Sequence, residues 1–235
     1  MAFTREGLVN KVPVQMGTLR ATYQAARALT ASGQPEKAPQ WLTDELVRLG
    51  SDPELDAADE IPLAMVCHRL QLDCGSRADK GTQRIGRLRV PEQLVPGNER
   101  LWQDAMTARA EFQMGCPRTQ VRRENLPYGT SSPQFLMILR TLGESDCTTQ
   151  VQELARGIDL VALARDTLKK GEIVQGSDAL QAAIAAGRVI PQRMWQEMPD
   201  LVNNNRAPEG RDLFSKFAGG PASSQATAAG YYLLA

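Results

Sequence analysis

Ser132–Gly143 reads SPQFLMILRTLG, and its apolar centre, Phe135-Leu136-Met137-Ile138-Leu139, decides the fold class. Ser132 and Pro133 suit the cap and first position of a helix. A helix apolar on every side belongs in the middle of a core, so this segment is expected to be the central helix of a helical body. Downstream, the spacing predicts helices at Asp146–Arg156, Asp159–Lys170, Asp178–Ala186, Pro191–Met198 and Glu209–Ala218. Gly157, Gly171 and Gly187 stand where those helices should stop, and Asp146 and Ser177 where they should start. Short joints of this kind favour neighbours packed close to antiparallel.

Upstream, Asn98 caps a helix predicted over Glu99–Met114, with Leu101, Ala105, Ala108 and Phe112 as its buried stripe, Trp102 beside it and Gly115 ending it. Three further helices are predicted at Thr18–Ala31, ended by Gly33, at Pro39–Leu49 and at Pro62–Cys74, with Ile61-Pro62 as a break before the last. Gly75–Pro91, GSRADKGTQRIGRLRVP, does not show the helical pattern and reads as an open loop or short strand. Residues 116–132 read as a second irregular segment. The expected architecture is all-α: a single multi-helix domain over 1–218 with irregular basic loops and an extended N-terminal arm at 1–15. A tail at 219–235, dominated by small residues and containing Pro, Ala and Ser, follows. Its small residues bury too little surface to order it, while Tyr231, Tyr232, Leu233 and Leu234 form an apolar tip suited to docking.

At 235 residues, with 42% hydrophobic and 23% charged, the chain can bury a core of ordinary size. No apolar run approaches the roughly 20 residues that cross a bilayer, and the N-terminus lacks a secretory apolar region. No membrane partner and a cytoplasmic location are therefore expected. Cys67, Cys74, Cys116 and Cys147 are too few for a dense disulfide framework and are expected as reduced thiols. Cys67 and Cys74 stand seven apart, two turns along the predicted helix, which suits core packing better than zinc.

Charge sums to zero but is segregated. From Asp44 to Glu60 there are seven acids against Arg48 alone. Gly75–Pro91 then carries Arg77, Lys80, Arg84, Arg87 and Arg89 against Asp79, and a second basic cluster follows at Arg118, Arg122 and Arg123. Such blocks serve as solvated faces or as surfaces for partners.

Enzyme chemistry finds little footing. The one histidine, His68, lies mid-helix between Cys67 and Arg69 and reads as structural. Phosphate-binding glycine loops, nucleophile elbows and paired-histidine metal motifs are missing. Asp52, Asp56 and Glu60 at i, i+4, i+8 could approach a divalent ion, but nothing else in the sequence completes a site. The expectation is a non-enzymatic protein without a cofactor or metal.

The arginines are better material, since guanidinium groups pair bidentately with phosphate and clustered cations attract polyanions. Arg77, Lys80, Arg84, Arg87, Arg89, Arg118, Arg122 and Arg123 are the candidate nucleic-acid contacts, with Arg118–Arg123 as a second wall. Tyr128 is the one nearby aromatic able to stack on a base. Backbone binding, largely independent of sequence, is therefore expected.

The layout of helical body, arm, arginine-rich segments and the tail Gly219-Gly220-Pro221-Ala222-Ser223-Ser224, continuing to Ala229, resembles small viral proteins that coat RNA. The family it resembles is the proline-alanine-serine-rich protein of fungal polymycoviruses, with helical viral nucleoproteins as a looser comparison. The resemblance implies RNA binding and self-association, as a homodimer or larger homo-oligomer, in the host cytoplasm or in a virion. The alternative is a virion or phage subunit, or an adaptor, that meets proteins only, its basic stretch facing the Asp44–Glu60 block of a neighbour.

Overall fold

A computed structural model describes residues 18–31, 38–210 and 212–235. The chain is all-α: the described residues form eleven α-helices and one 3-10 turn, with isolated bridges but no strand. The arm expected at 1–15 and the stop at Gly33 lie outside the described residues. The helices gather into two compact units, Met1–Arg87 with Met198–Ala235, and Leu88–Glu197.

The second unit holds α5 (Glu99–Glu111), α6 (Pro133–Glu144), α7 (Thr148–Leu154), α8 (Leu160–Lys169) and α9 (Ile173–Ala185). Phe135, Leu136, Ile138, Leu139 and Leu142 of α6 are fully buried, as the apolar run requires, and α5, α7 and α9 pack against that helix. Its N-terminus is closed by Ser132, whose hydroxyl accepts the Phe135 N–H at 3.2 Å. Inside α6, Arg140 pairs with Glu144 at 2.7 Å and with Asp178 of α9 at 2.8 Å.

Two expectations shift here. The buried face of α5 keeps Ala105 and Ala108 as expected but takes in Trp102 and Met106, while Leu101 is exposed. The larger indole takes the core position, and its N–H reaches the Thr119 hydroxyl at 3.4 Å. Helix α9 starts five residues before the predicted Asp178. Ser177 and Asp178 look like a helix start because such side chains compete for backbone groups. Inside α9 they have other partners, Gln181 at 3.0 Å for Ser177 and Arg140 for Asp178.

The first unit holds α1 (Leu19–Ala31), α2 (Gln40–Gly50), α3 (Glu60–Leu70), α4 (Ser76–Arg87) and α11 (Ser224–Leu234); α10 (Gln192–Asn203) crosses the boundary between the units. Helix α3 lies against α1, α2 and α4, and α1 also pairs with α11. Pro62, expected to break the chain, sits buried in the first turn of α3, where its missing N–H costs nothing.

The tail is a helix rather than a disordered segment. Ser223 caps α11, and Ala226, Thr227, Ala229, Gly230 and Leu233 are buried. Small residues order here because they let helices approach closely: a Cβ on Gly230 would stand 2.7 Å from the Phe214 ring. Conversely, the helix predicted at Glu209–Ala218 is absent among the described residues. Its backbone is engaged elsewhere, with the Ser215 N–H donating to Asn205 O at 2.8 Å and Ala207 N–H to Leu213 O at 2.8 Å.

Gly75–Pro91 is mainly helix, contrary to the loop or strand expected. Gly81 explains why the reading failed. Glycine disfavours helices by about 1 kcal/mol, yet here it is the contact point of α4 on α3: an added Cβ would lie 2.1 Å from the Glu60 carbonyl oxygen and 2.9 Å from the Ala64 Cβ. Gly81→Ala should therefore destabilise the protein by about 1–3 kcal/mol despite alanine's better helix propensity, measured by denaturant unfolding with the disulfides intact. An increase in stability would show that the two helices can part without cost.

Candidate nucleic-acid interface

On α4 the basic residues fall at 77, 80, 84 and 87, a helical spacing that places all four on one side of the helix. The buried face is Ala78, Gly81 and Ile85. On a wheel of 100° per residue, Arg77 and Arg84 lie roughly 70–90° from the centre of that face, and Lys80 and Arg87 roughly 130–150° away. The first pair flanks the interface with α3; the second pair points into solvent.

Position decides use. Glu60, at the start of α3, is only 1% exposed, and an isolated buried carboxylate would be strongly disfavoured. Arg77 Nη1 reaches its Oε1 at 3.0 Å and Arg84 Nε its Oε2 at 2.9 Å. The same guanidinium groups gather the acidic turn before α3. Arg77 donates to Asp52 O at 3.0 Å and to the Pro53 carbonyl, and Arg84 to Ala57 O at 3.0 Å. Asp52 and Asp56 close their own turns by accepting the Glu54 and Ala58 N–H groups, each at 2.9 Å. They therefore do not share a helix face with Glu60.

Of the eight candidate contacts, Arg77 and Arg84 are thus held within the chain. Lys80, Arg87, Arg89, Arg118, Arg122 and Arg123 are exposed. Among the described residues, no ion pair engages these six; Arg122 makes one hydrogen bond, to Gln120 Oε1 at 3.2 Å. Arg77, Lys80, Arg84 and Arg87 belong to the first unit, while Arg89, Arg118, Arg122 and Arg123 belong to the second.

The second cluster lies on an irregular segment fixed at several points. Gln150 of α7 clasps it with two bonds, its Nε2 donating to Thr119 O at 2.9 Å and its Oε1 accepting Val121 N–H at 3.3 Å. Thr119 Oγ1 donates to Pro91 O at 2.8 Å, and Gln120 N–H to Glu92 O at 2.8 Å. The Cys116–Cys147 disulfide ties the start of the segment to the residue before α7. Tyr128, the expected base-stacking residue, instead donates its hydroxyl to the Glu99 carboxylate.

All four cysteines, expected as thiols, are paired. Seven residues along a continuous helix would separate two Cα atoms by about 10.5 Å, beyond the reach of a disulfide. Helix α3 instead ends at Leu70, Gln71 turns at φ 55°, and the chain doubles back to bring Cys74 within 6.2 Å of Cys67. No thiolate remains on these cysteines to ligate zinc.

Two outcomes follow. Glu60→Ala, which strands the facing guanidinium groups, should cost about 3 kcal/mol, the low end for a broken buried pair because Arg84 is partly in water. Lys80→Ala and Arg87→Ala should each change stability by less than about 0.5 kcal/mol; urea unfolding separates the cases. The hydrogen bond to Glu99, helped by burial, pushes the Tyr128 phenol up to about 12. It also holds the Glu99 carboxyl below its ordinary range. Tyr128 therefore contributes stability that is complete below about pH 10, the midpoint for a free tyrosine, and is lost as the pH rises towards 12. An ultraviolet titration should contain a late tyrosinate step that Tyr128→Phe removes; identical curves would disprove the coupling.

Comparison with protein-family models, curated proteins and solved structures finds no match for this chain.

Proposed function

We propose that this protein is a non-enzymatic, self-associating structural protein that binds the RNA backbone with little regard for sequence, in the manner of a viral coat or nucleoprotein. The observation that carries this reading is the exposure of Lys80, Arg87, Arg89, Arg118, Arg122 and Arg123, none engaged in an ion pair among the described residues. Guanidinium groups without an ion pair suit phosphate recognition. Tyr128, the aromatic expected to stack on a base, is engaged by Glu99, which suits backbone binding over base stacking. Arg77 and Arg84 are withdrawn from the contact set because Glu60 and the 52–57 carbonyls already hold them.

Among the described residues no helix is long and apolar enough to cross a membrane. Of the two settings the resemblance implies, the paired cysteines favour an assembled particle over reducing cytoplasm.

A second reading, a structural subunit that meets only proteins, draws on large apolar side chains left in solvent: Leu101 at 61%, Val189 at 89% and Phe217 at 66% exposure. The acidic run is a poor partner for a neighbour's basic stretch, since its turn is occupied by Arg77 and Arg84 of the same chain.

Fluorescence anisotropy with unrelated RNAs across a salt series tests the leading reading. Affinity should fall steeply with salt, and Lys80→Ala, Arg87→Ala and Arg89→Ala combined should flatten the log–log slope by about 2, at roughly 0.7 per lost single-strand phosphate contact. Arg77→Ala should leave the slope unchanged while lowering stability. Failure to bind at low salt overturns the reading, and oligomers that survive nuclease treatment without any RNA affinity establish the second.

A further inference from the structure

The two disulfides differ in what solvent can reach. Cys67 and Cys74 are both buried, at 3% and 2% exposure. In the second pair Cys147 is equally buried, at 3%, but Cys116 is exposed on the irregular segment after α5. Thiol–disulfide exchange requires the incoming thiolate to reach one sulfur with the other departing, so access decides which bond reacts and at which end.

We propose that Cys116 is a thiol-exchange site, at which a low-molecular-weight aliphatic thiol opens the Cys116–Cys147 bond and becomes attached to Cys116. A thiolate RS⁻ attacks the sulfur of the exposed Cys116 and forms a mixed disulfide between R and Cys116. The Cys116–Cys147 bond breaks, and its electron pair leaves on the Cys147 sulfur, which takes a proton from water. The incoming sulfur rises from the thiol to the disulfide level as the Cys147 sulfur falls from the disulfide to the thiol level, so the step needs no outside oxidant or reductant. The reverse step, attack of the Cys147 thiolate on Cys116, expels RS⁻ and restores the bond. A second thiol can instead attack the mixed disulfide, leaving RS–SR and two free cysteines.

The surrounding fold tolerates this opening. The segment has ties besides the sulfur bridge: Thr119, Gln120 and Val121 are bonded to Pro91, Glu92 and Gln150, and Gln150 Nε2 also donates to the Cys116 sulfur at 3.8 Å. Opening at Cys116 is therefore expected to be local, without unfolding of the second unit. Cys67–Cys74 has no such route, because both sulfurs are enclosed where α3 turns back towards α4. The inference rests on the disulfides and their exposure and is independent of RNA binding.

The test incubates the oxidised full-length chain with increasing reduced glutathione, quenches with acid, alkylates the free thiols and maps the peptides by mass spectrometry. Glutathione is expected on Cys116, alkylation on Cys147, and an intact Cys67–Cys74 bond at concentrations that open most of the second pair, a selectivity of at least tenfold. In Cys147→Ser, which lacks the resolving sulfur, oxidised glutathione should load Cys116 to near completion while circular dichroism stays unchanged. Glutathione on Cys147, equal opening of both bonds, or four free thiols in the untreated protein would each overturn the proposal. The wild-type mapping decides the matter even where the variant fails to fold.

Discussion

A carboxylate withdrawn from water must find compensating charge, and Glu60 finds it twice. Arg77 and Arg84 lie two helical turns apart on α4, so both reach one carboxyl at the start of α3. Their remaining donors take the carbonyls of Asp52, Pro53 and Ala57. One buried charge thus orders the acidic turn, fixes the approach of α4 to α3, and orients the helix so that Lys80 and Arg87 face outward. Gly81 complements it sterically, because the carboxylate and the glycine act on the same contact: any side chain at 81 would push α4 away from the Glu60 backbone.

The helical class was legible because the core of the second unit follows simple rules. An all-apolar run with a serine cap became α6, and its side chains occupy the centre of that unit. Legibility failed where glycine and small residues serve packing. Gly81 argued against helix by propensity and was needed for it by geometry. The Pro-Ala-Ser composition of the tail suggested disorder, yet Ala226, Ala229 and Gly230 are the residues that allow α11 its close contacts. Local composition measures what a segment can bury by itself and says nothing of a partner with a matching groove.

The candidate interface was legible in residue type and misread in use. The 3-4-3 spacing of Arg77, Lys80, Arg84 and Arg87 is a helical period, and it marked α4 more clearly than its apolar residues did. That period also divides the four into a buried-edge pair and a solvent pair, a division visible only once Ala78, Gly81 and Ile85 are known to face inward. The disulfides were beyond reach for another reason. Cys67 and Cys74 pair because α3 stops at Leu70, and Cys116 and Cys147 because a loop after α5 returns to the start of α7. Sequence separation alone contains neither fact.

The first unit is assembled from both ends of the described chain: α1 packs on α11, and residues 88–197 form a unit of their own in between. During synthesis from the N-terminus, the second unit is contiguous and can close as soon as it leaves the ribosome, since domains fold as units in the order they emerge. The first unit must wait. Its α1 and α3 have been made long before, but the face of α1 that α11 packs on stays uncovered until Ser224–Leu234 has been made. Helix α11 therefore acts as a closing element in time as well as in space, and ribosome-bound chains stopped before Ser224 would carry a finished second unit and an unfinished first one.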